Sequence, residues 1–189
     1  MMLKKYKILC LIGFIMVLFS NVVFAASFQT VADTFLSLYK VNEVDKSILY
    51  NEDMRKITIR IHKVATTTDE MLVYKDQTVI YQKEMPHNWS YRIYQLKNAS
   101  DDRFVYAINS NKDHWLMGYD ATKDKWQVYA SSADFYNSVQ GDPWIQEKHG
   151  DIILSFHDMG KDNPTQEYRL FWDTRSNWFG YEDLGIHSN

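Results

Sequence analysis

Short segments in which apolar and polar residues alternate fill the chain from Ile48 onward, and they constrain the fold more than any other feature. The clearest is Ile57, Ile59 and Ile61, which alternate with polar residues as in a strand with one buried face. Nine more segments, rich in residues of high β propensity, follow: Glu70–Tyr74, Thr78–Lys83, Ser90–Leu96, Arg103–Ile108, Trp115–Tyr119, Lys125–Ala130, Asp151–Phe156, Tyr168–Asp173 and Trp178–Tyr181. The breaks between them are mostly short, whereas a parallel crossover needs about a dozen residues or more. The sequence therefore predicts a mainly β fold, an antiparallel meander of about ten strands.

One segment has helical instead of alternating periodicity. Between Ser27 and Lys40 the apolar residues fall on one helical stripe, and Ser27 can serve as the N-cap. We therefore expect one short N-terminal helix at about residues 27–40, ahead of the strands.

A hairpin pattern occurs twice, in which a strand ends in an aromatic residue and Asp, and a tryptophan follows a polar turn. Tyr119–Asp120 precedes Trp126, and Trp172–Asp173 precedes Trp178. In its turn chemistry this pattern resembles the outer strands of β-propeller blades, which implies propeller-like blades as one architecture. An up-and-down barrel or a two-sheet sandwich fits the length of the chain better.

The first 25 residues have the composition of a secretory signal peptide. Lys4, Lys5 and Lys7 precede the apolar run Ile8–Phe19, and a small-residue cleavage signal ends at Ala25. That run is shorter than the ~20 residues that cross a bilayer. We expect cleavage after Ala25, which leaves one domain over residues 26–189 that is exported to the periplasm, the cell envelope or the medium. Cleavage one residue later and an uncleaved membrane anchor are the alternatives.

Charge and cysteine content narrow the possible partners and the source of stability. The chain has a formal net charge of −3 and no basic run, which argues against nucleic acid as a partner. Its single cysteine, Cys10, lies in the predicted signal peptide, so the exported domain has no disulfide. Aromatic residues supply the bulk of the predicted core, since each buried ring removes roughly 150–250 Å² from water.

No pattern of catalytic or metal-binding residues stands out. The nearest approach to a cluster is His149, Asp151, His157 and Asp158, but an extended strand separates its two ends by roughly 15–20 Å. The loop 157–164 has fewer carboxylates than a calcium loop requires. No nucleophile motif is present. We therefore expect no metal, no cofactor and no catalytic residue.

Aromatic residues remain as candidates for ligand contact. Trp89 and Trp144 occur in turn-like contexts, Trp89 and Tyr91 would share a strand face, and Trp115 and Tyr119 would share another. Flat apolar rings with a polar tip suit a carbohydrate or a peptide. We take Trp89, Tyr91, Trp115 and Trp144 as candidate ligand-binding residues; the alternative is that these rings fill the core.

These observations favour a non-catalytic exported or cell-envelope module that presents aromatic residues to a small ligand, a glycan, a peptide or an envelope protein. After signal cleavage no membrane span is expected. One alternative is an exported hydrolase, in which His149 or His157 faces Asp113, His114 or another acid. Another is an assembly component whose sheet is completed by a partner, which a long unpaired edge strand would favour.

Overall fold

The computed structural model describes residues 27–38, 46–52, 55–135, 141–157 and 164–188. The predicted signal peptide and Asp158 lie outside these residues. The described chain forms strands β1 (Phe28–Ser37), β2 (Lys46–Glu52), β3 (Arg55–Ala65), β4 (Thr68–Lys75), β5 (Thr78–Pro86), β6 (Ser90–Asn98), β7 (Phe104–Asn109), β8 (His114–Asp120), β9 (Lys125–Ser131), β10 (Asp142–Lys148), β11 (Asp151–His157), β12 (Pro164–Asp173) and β13 (Trp178–Ser188). One 3-10 turn, Ser132–Asp134, follows β9. Over these ranges no helix has the length and apolar character to cross a membrane.

The strands form three antiparallel sheets, each built on four consecutive strands, and β1 adds to one of them by pairing with β6. Sheet I has the order β2-β3-β4-β5, sheet II β1-β6-β7-β8-β9, and sheet III β10-β11-β12-β13. The predicted mainly β, antiparallel fold is therefore confirmed, and each of the ten predicted segments overlaps a strand. In place of one meander of about ten strands, the described residues form 13 strands in three sheets. The barrel and the two-sheet sandwich are wrong, because the described strands form three sheets and none of these sheets closes on itself.

Sheet II lies between the other two sheets, and its strands β7 and β8 are buried on both faces. All six residues of β7 are buried, and they contribute alternately to two cores. Tyr106 and Ile108 pack in one core with the isoleucines of sheet I. Val105 and Ala107 pack in the other core with Leu154 and other apolar residues of sheet III. This placement follows from the sequence, since a strand that is apolar on both faces has to be covered twice.

The predicted N-terminal helix is wrong: this segment is strand β1, which pairs with β6. A bulge between Thr30 and Ala32 explains the misleading periodicity, because an extra residue at Val31 breaks the strand alternation. It also changes the face that the strand buries. Phe28, before the bulge, packs in the core with sheet III, and Leu36, after it, packs in the core with sheet I.

Candidate functional site

Two of the four predicted ligand-binding residues are buried in the core. Tyr91 has no exposed surface, and Trp115 is 4% exposed; both lie in the core between sheets I and II. Trp144 is half-buried in β10, where its ring contacts the rings of Tyr94 and His114. Trp89 is 51% exposed in the connection between β5 and β6. The structure therefore does not assemble the four residues into one aromatic surface.

A buried carboxylate holds the connection that presents Trp89. Asp69 on β4 is completely buried, and its Oδ2 accepts hydrogen bonds from the Asn88 amide at 2.8 Å and from the Tyr91 hydroxyl at 2.9 Å. Burial raises the pKa of Tyr91, so its hydroxyl stays protonated and donates. Oδ1 of Asp69 lies 2.7 Å from Nδ1 of His87, whose ring contacts the Trp89 ring edge-on.

The Asp69–His87 pair has one feature of a catalytic dyad, because a carboxylate fixes the orientation of an imidazole. Nε2 of His87 is nevertheless buried, and no described group forms a hydrogen bond with it. The histidines that the sequence singled out lie elsewhere: His157 lies against Ser155 and Thr165, and His149 occupies a turn. Over the described residues, no three His, Cys, Asp or Glu side chains converge as a metal site would require.

A cleft of about 310 Å³ lies at the end of the molecule where several hairpin turns meet. It is lined by the start of β3 and by the β6–β7, β8–β9 and β12–β13 turns, with Arg55, Asp101, Arg103, Tyr119, Asp120, Ala121, Thr122, Tyr129, Trp172 and Asn177. All three sheets thus contribute to one site, which we call the arginine cleft. Its volume is at the lower end of the roughly 300–1,000 Å³ of small-molecule sites.

Arg103 lies flat on one wall of the arginine cleft. Its guanidinium carbon is 3.4 Å from the centre of the Trp172 ring, and its Nη2 is 3.2 Å from a carboxylate oxygen of Asp101. Stacking on an aromatic face fixes the plane of a guanidinium while its edge donors remain available. Asp101 interacts with one nitrogen of the guanidinium edge. Arg103 therefore presents an oriented positive charge to the cleft, with further N–H donors beside the one that faces Asp101.

Arg55 is the second cation of the arginine cleft. Its guanidinium carbon lies 5.2 Å from the centre of the Tyr119 ring, on which Lys75 of sheet I also stacks. Lys75 is paired with Asp124 at 2.8 Å, and this pairing raises the pKa of the lysine. Arg55 also acts on Asp124: hydrogen bonds from Lys75 and Tyr119 lower the pKa of this carboxyl most, and the charge of Arg55 adds to the effect. Among the described residues, however, no carboxylate forms a direct ion pair with Arg55.

Asp120 shapes the cleft and is paired with Lys123. Burial acts to raise its pKa, but hydrogen bonds from Thr122 and Lys123 outweigh burial and lower the pKa to about 2. Its Oδ1 accepts from the Thr122 amide at 3.0 Å, and Oδ2 lies 3.0 Å from Nζ of Lys123. At neutral pH it is therefore a charged group that holds the β8–β9 turn in place.

The sequence indicated part of the arginine cleft. Both aromatic–Asp segments form turns in the structure, and both turns line the cleft. Tyr119 pairs with Trp126 across the first turn. In the second, Trp178 pairs with Asp173 and not with Trp172. Arg55 and Arg103 went unnoticed; their position at strand starts beside aromatic-rich turns is the signal that could have found them.

Comparison with known proteins assigns no relative to this chain. No protein-family model, no curated protein and no solved structure matches it.

Proposed function

We propose that this protein is an exported, non-catalytic binding module whose arginine cleft takes a small carboxylate-bearing polar ligand of monosaccharide size, such as a sugar acid. The observation that carries the proposal is the pair of aromatic-supported guanidiniums in one cleft. Arg55 lacks a directly paired carboxylate partner among the described residues, since Asp124 interacts with it only through space. A ligand carboxylate would supply that partner, because a guanidinium presents several donors to a carboxylate.

The remainder of the lining suits the hydroxyl groups of a sugar. Asp101 supplies a carboxylate acceptor, Thr122 a hydroxyl, and Asn177 an amide that both donates and accepts. Trp172 is buried under Arg103, so it supports the cation and is not a stacking platform for the ligand. The preferred ligand is therefore polar and anionic.

Calorimetric titration of the purified protein with galacturonate and galactose tests the proposal, since the two sugars differ in the carboxylate. We expect galacturonate to bind at least about tenfold more tightly, because a hydrogen bond to a charged group contributes roughly 1.5–3 kcal/mol. Arg55→Gln should remove the difference between the two sugars. Arg60→Gln, a substitution on the same strand outside the cleft, should preserve it. Equal affinities for the two sugars, or an unchanged preference in Arg55→Gln, would contradict the proposed ligand class.

Export is part of the same proposal. It rests on the composition of residues 1–25, and sequencing the N-terminus of the protein recovered outside the cytoplasm should give Ala26. Each sheet contains a four-stranded meander of consecutive strands, and the aromatic–Asp turn recurs in sheets II and III. We accordingly interpret the three sheets as propeller-like blades that present their turns to a common site.

A further inference from the structure

The outer edge of sheet III is a long strand whose other side is not paired by any strand of the described chain. β13 runs from Trp178 to Ser188, and β12 is the only described strand with which it pairs. Edge strands are commonly protected by Lys or Pro, and β5, at an edge of sheet I, carries both Lys83 and Pro86. β13 contains neither Lys, Arg nor Pro.

A bulge at Leu184 interrupts the pairing of β13 with β12, and Glu182 and Asp183 are its charged residues. The regular part of the edge, Trp178–Asp183, therefore presents main-chain donors and acceptors as a template, and its charge restricts which strands can add to it.

Apolar side chains are exposed along this edge. Tyr181 lies opposite Leu170, and Ile186 opposite Gln166, which places both on the face of sheet III that holds the core. The side chains are nevertheless 64% and 70% exposed, respectively. An additional strand along β13 would cover them.

An aromatic groove of about 210 Å³ lies next to the edge. It is formed between β9 with its following 3-10 turn and β13, and Phe135, Trp178 and Tyr181 are among its lining residues. The rings of Phe135 and Tyr181 are in edge contact at 5.2 Å. Alternate side chains of an added strand point to one face, so a β13-bound peptide can direct its apolar side chains into this groove.

Charge identifies the kind of strand that fits. β13 carries Glu182 and Asp183, and Asp134 lines the groove. Arg169 of β12 neutralises Glu182, but no Lys or Arg on β13 itself offsets these carboxylates. We propose that β13 and the aromatic groove form a docking site for an extended segment of a partner protein in which apolar residues alternate with Lys or Arg.

A second copy of this chain fits the edge poorly. In a two-fold antiparallel pairing over the whole of β13, Asp183 lies at the centre and faces its own copy. Like charges directly opposite each other destabilise a strand pair. A cationic partner strand would remove this conflict.

Hydrogen exchange of the full protein, measured by NMR with a blocked decapeptide of alternating Ile and Lys, tests the proposal. We expect exchange of β13 amides to slow at least tenfold. The matched peptide of alternating Ile and Glu should bind at least tenfold more weakly. Ile186→Lys should weaken binding of the Lys peptide at least tenfold. The neutral Ile186→Ser should also weaken it, but by a smaller factor. Val79→Lys, an exposed position on the β5 edge, is the matched control and should leave binding unchanged.

Three results would overturn the proposal: equal binding of the two peptides, full binding by Ile186→Lys, or protection that appears at β1 or β5 in place of β13. Protection of β13 without peptide that grows with protein concentration would assign the edge to a second copy, and it would also overturn the proposal. None of these results bears on the arginine cleft, because Arg55 and the sugar acid are tested separately.

Discussion

Asp69 is the residue whose role was least visible in the sequence. Its carboxylate is completely buried, and hydrogen bonds from the β5–β6 connection compensate for the loss of water. The partner His87 is eighteen residues away in sequence, and neither residue belongs to a recognisable motif. What brings them together is the pairing register of β4 with β5, in which Asp69 lies opposite Met85. Sequence periodicity predicts the strands but not the register, so it could not place this pair.

His114 gives a pH dependence that can be tested. Burial lowers the pKa of this imidazole from 6.5 to about 4, and its Nδ1 lies 2.9 Å from Oδ1 of Asn109. The unfolded chain takes up a proton below its pKa of 6.5 while the folded protein does not. The contribution of neutral His114 to stability is therefore complete above about pH 6.5 and is lost as the pH falls towards 4. The loss is up to about 3 kcal/mol.

Urea unfolding at several pH values between 7 and 4 measures this dependence. The glutamine in His114→Gln does not titrate. Between pH 7 and pH 4 the free energy of unfolding of this variant should therefore fall by up to about 3 kcal/mol less than that of the native protein. Parallel stability curves for the two proteins would show that His114 does not carry the effect. Asp120, whose pKa is lowered to about 2, contributes in a lower window, since its stabilisation is lost as the pH falls from about 4 towards 2.

At the level of elements, sequence reasoning missed β1, β2 and β10, and β1 and β10 have specific physical explanations. β1 has a helical periodicity in the sequence because its bulge interrupts alternation, and pairing with β6 then determines its structure. β10 has the sequence of a turn because it begins with Asp142-Pro143. Proline is tolerated there since β10 is an edge strand of sheet III. The ten predicted segments are all strands, because they are rich in residues of high β propensity and the half-buried ones among them alternate apolar and polar residues.

His149, a candidate ligand in the sequence, is a turn residue in the structure. His149 and Gly150 connect Lys148 to its pairing partner Asp151, and both have positive φ, 55° and 90°. This is the backbone of a two-residue hairpin turn in which Asn is preferred at the first position. We expect His149→Asn to raise the free energy of unfolding by about 0.5 kcal/mol and His149→Val to lower it by about 1–2 kcal/mol.

Urea unfolding of the two variants beside Lys148→Val checks this expectation, since Lys148 lies next to the turn in regular strand. A β-branched residue there is compatible with the backbone. If His149→Val were as stable as the native protein, the positive φ at this position would be in doubt.

At the scale of the whole molecule, the arginine cleft depends on how the sheets stack. Arg55 comes from sheet I, Arg103 and Tyr119 from sheet II, and Trp172 from sheet III. Turn chemistry predicted where the hairpins lie, and the aromatic–Asp pattern marked two of them. Which turns lie side by side is decided by the packing of three sheets, which alternation within single strands does not encode. The sequence for this reason marked two turns of the cleft but did not bring them together with Arg55 and Arg103.

The central position of sheet II also predicts how the molecule unfolds. Neighbouring residues of β7 belong to different cores: Tyr106 packs with sheet I, and Val105 and Ala107 pack with sheet III. If either core is lost, one face of sheet II becomes exposed to solvent. The other core is weakened as well, because it packs against the opposite face of the same sheet. We expect one cooperative transition in urea, with far-ultraviolet circular dichroism and tryptophan fluorescence changing together.

Substitutions in the two cores test this coupling. Ile59→Ala, in the core with sheet I, and Leu154→Ala, in the core with sheet III, should each lower the free energy of unfolding by about 2–5 kcal/mol. Both should move the same single transition. Leu49→Ala is the control, because this side chain is 59% exposed, and it should cost less than about 0.5 kcal/mol. If Leu154→Ala instead separated the unfolding curve into two steps, sheet III would be an independent unit, and the shared central sheet would not couple the two cores.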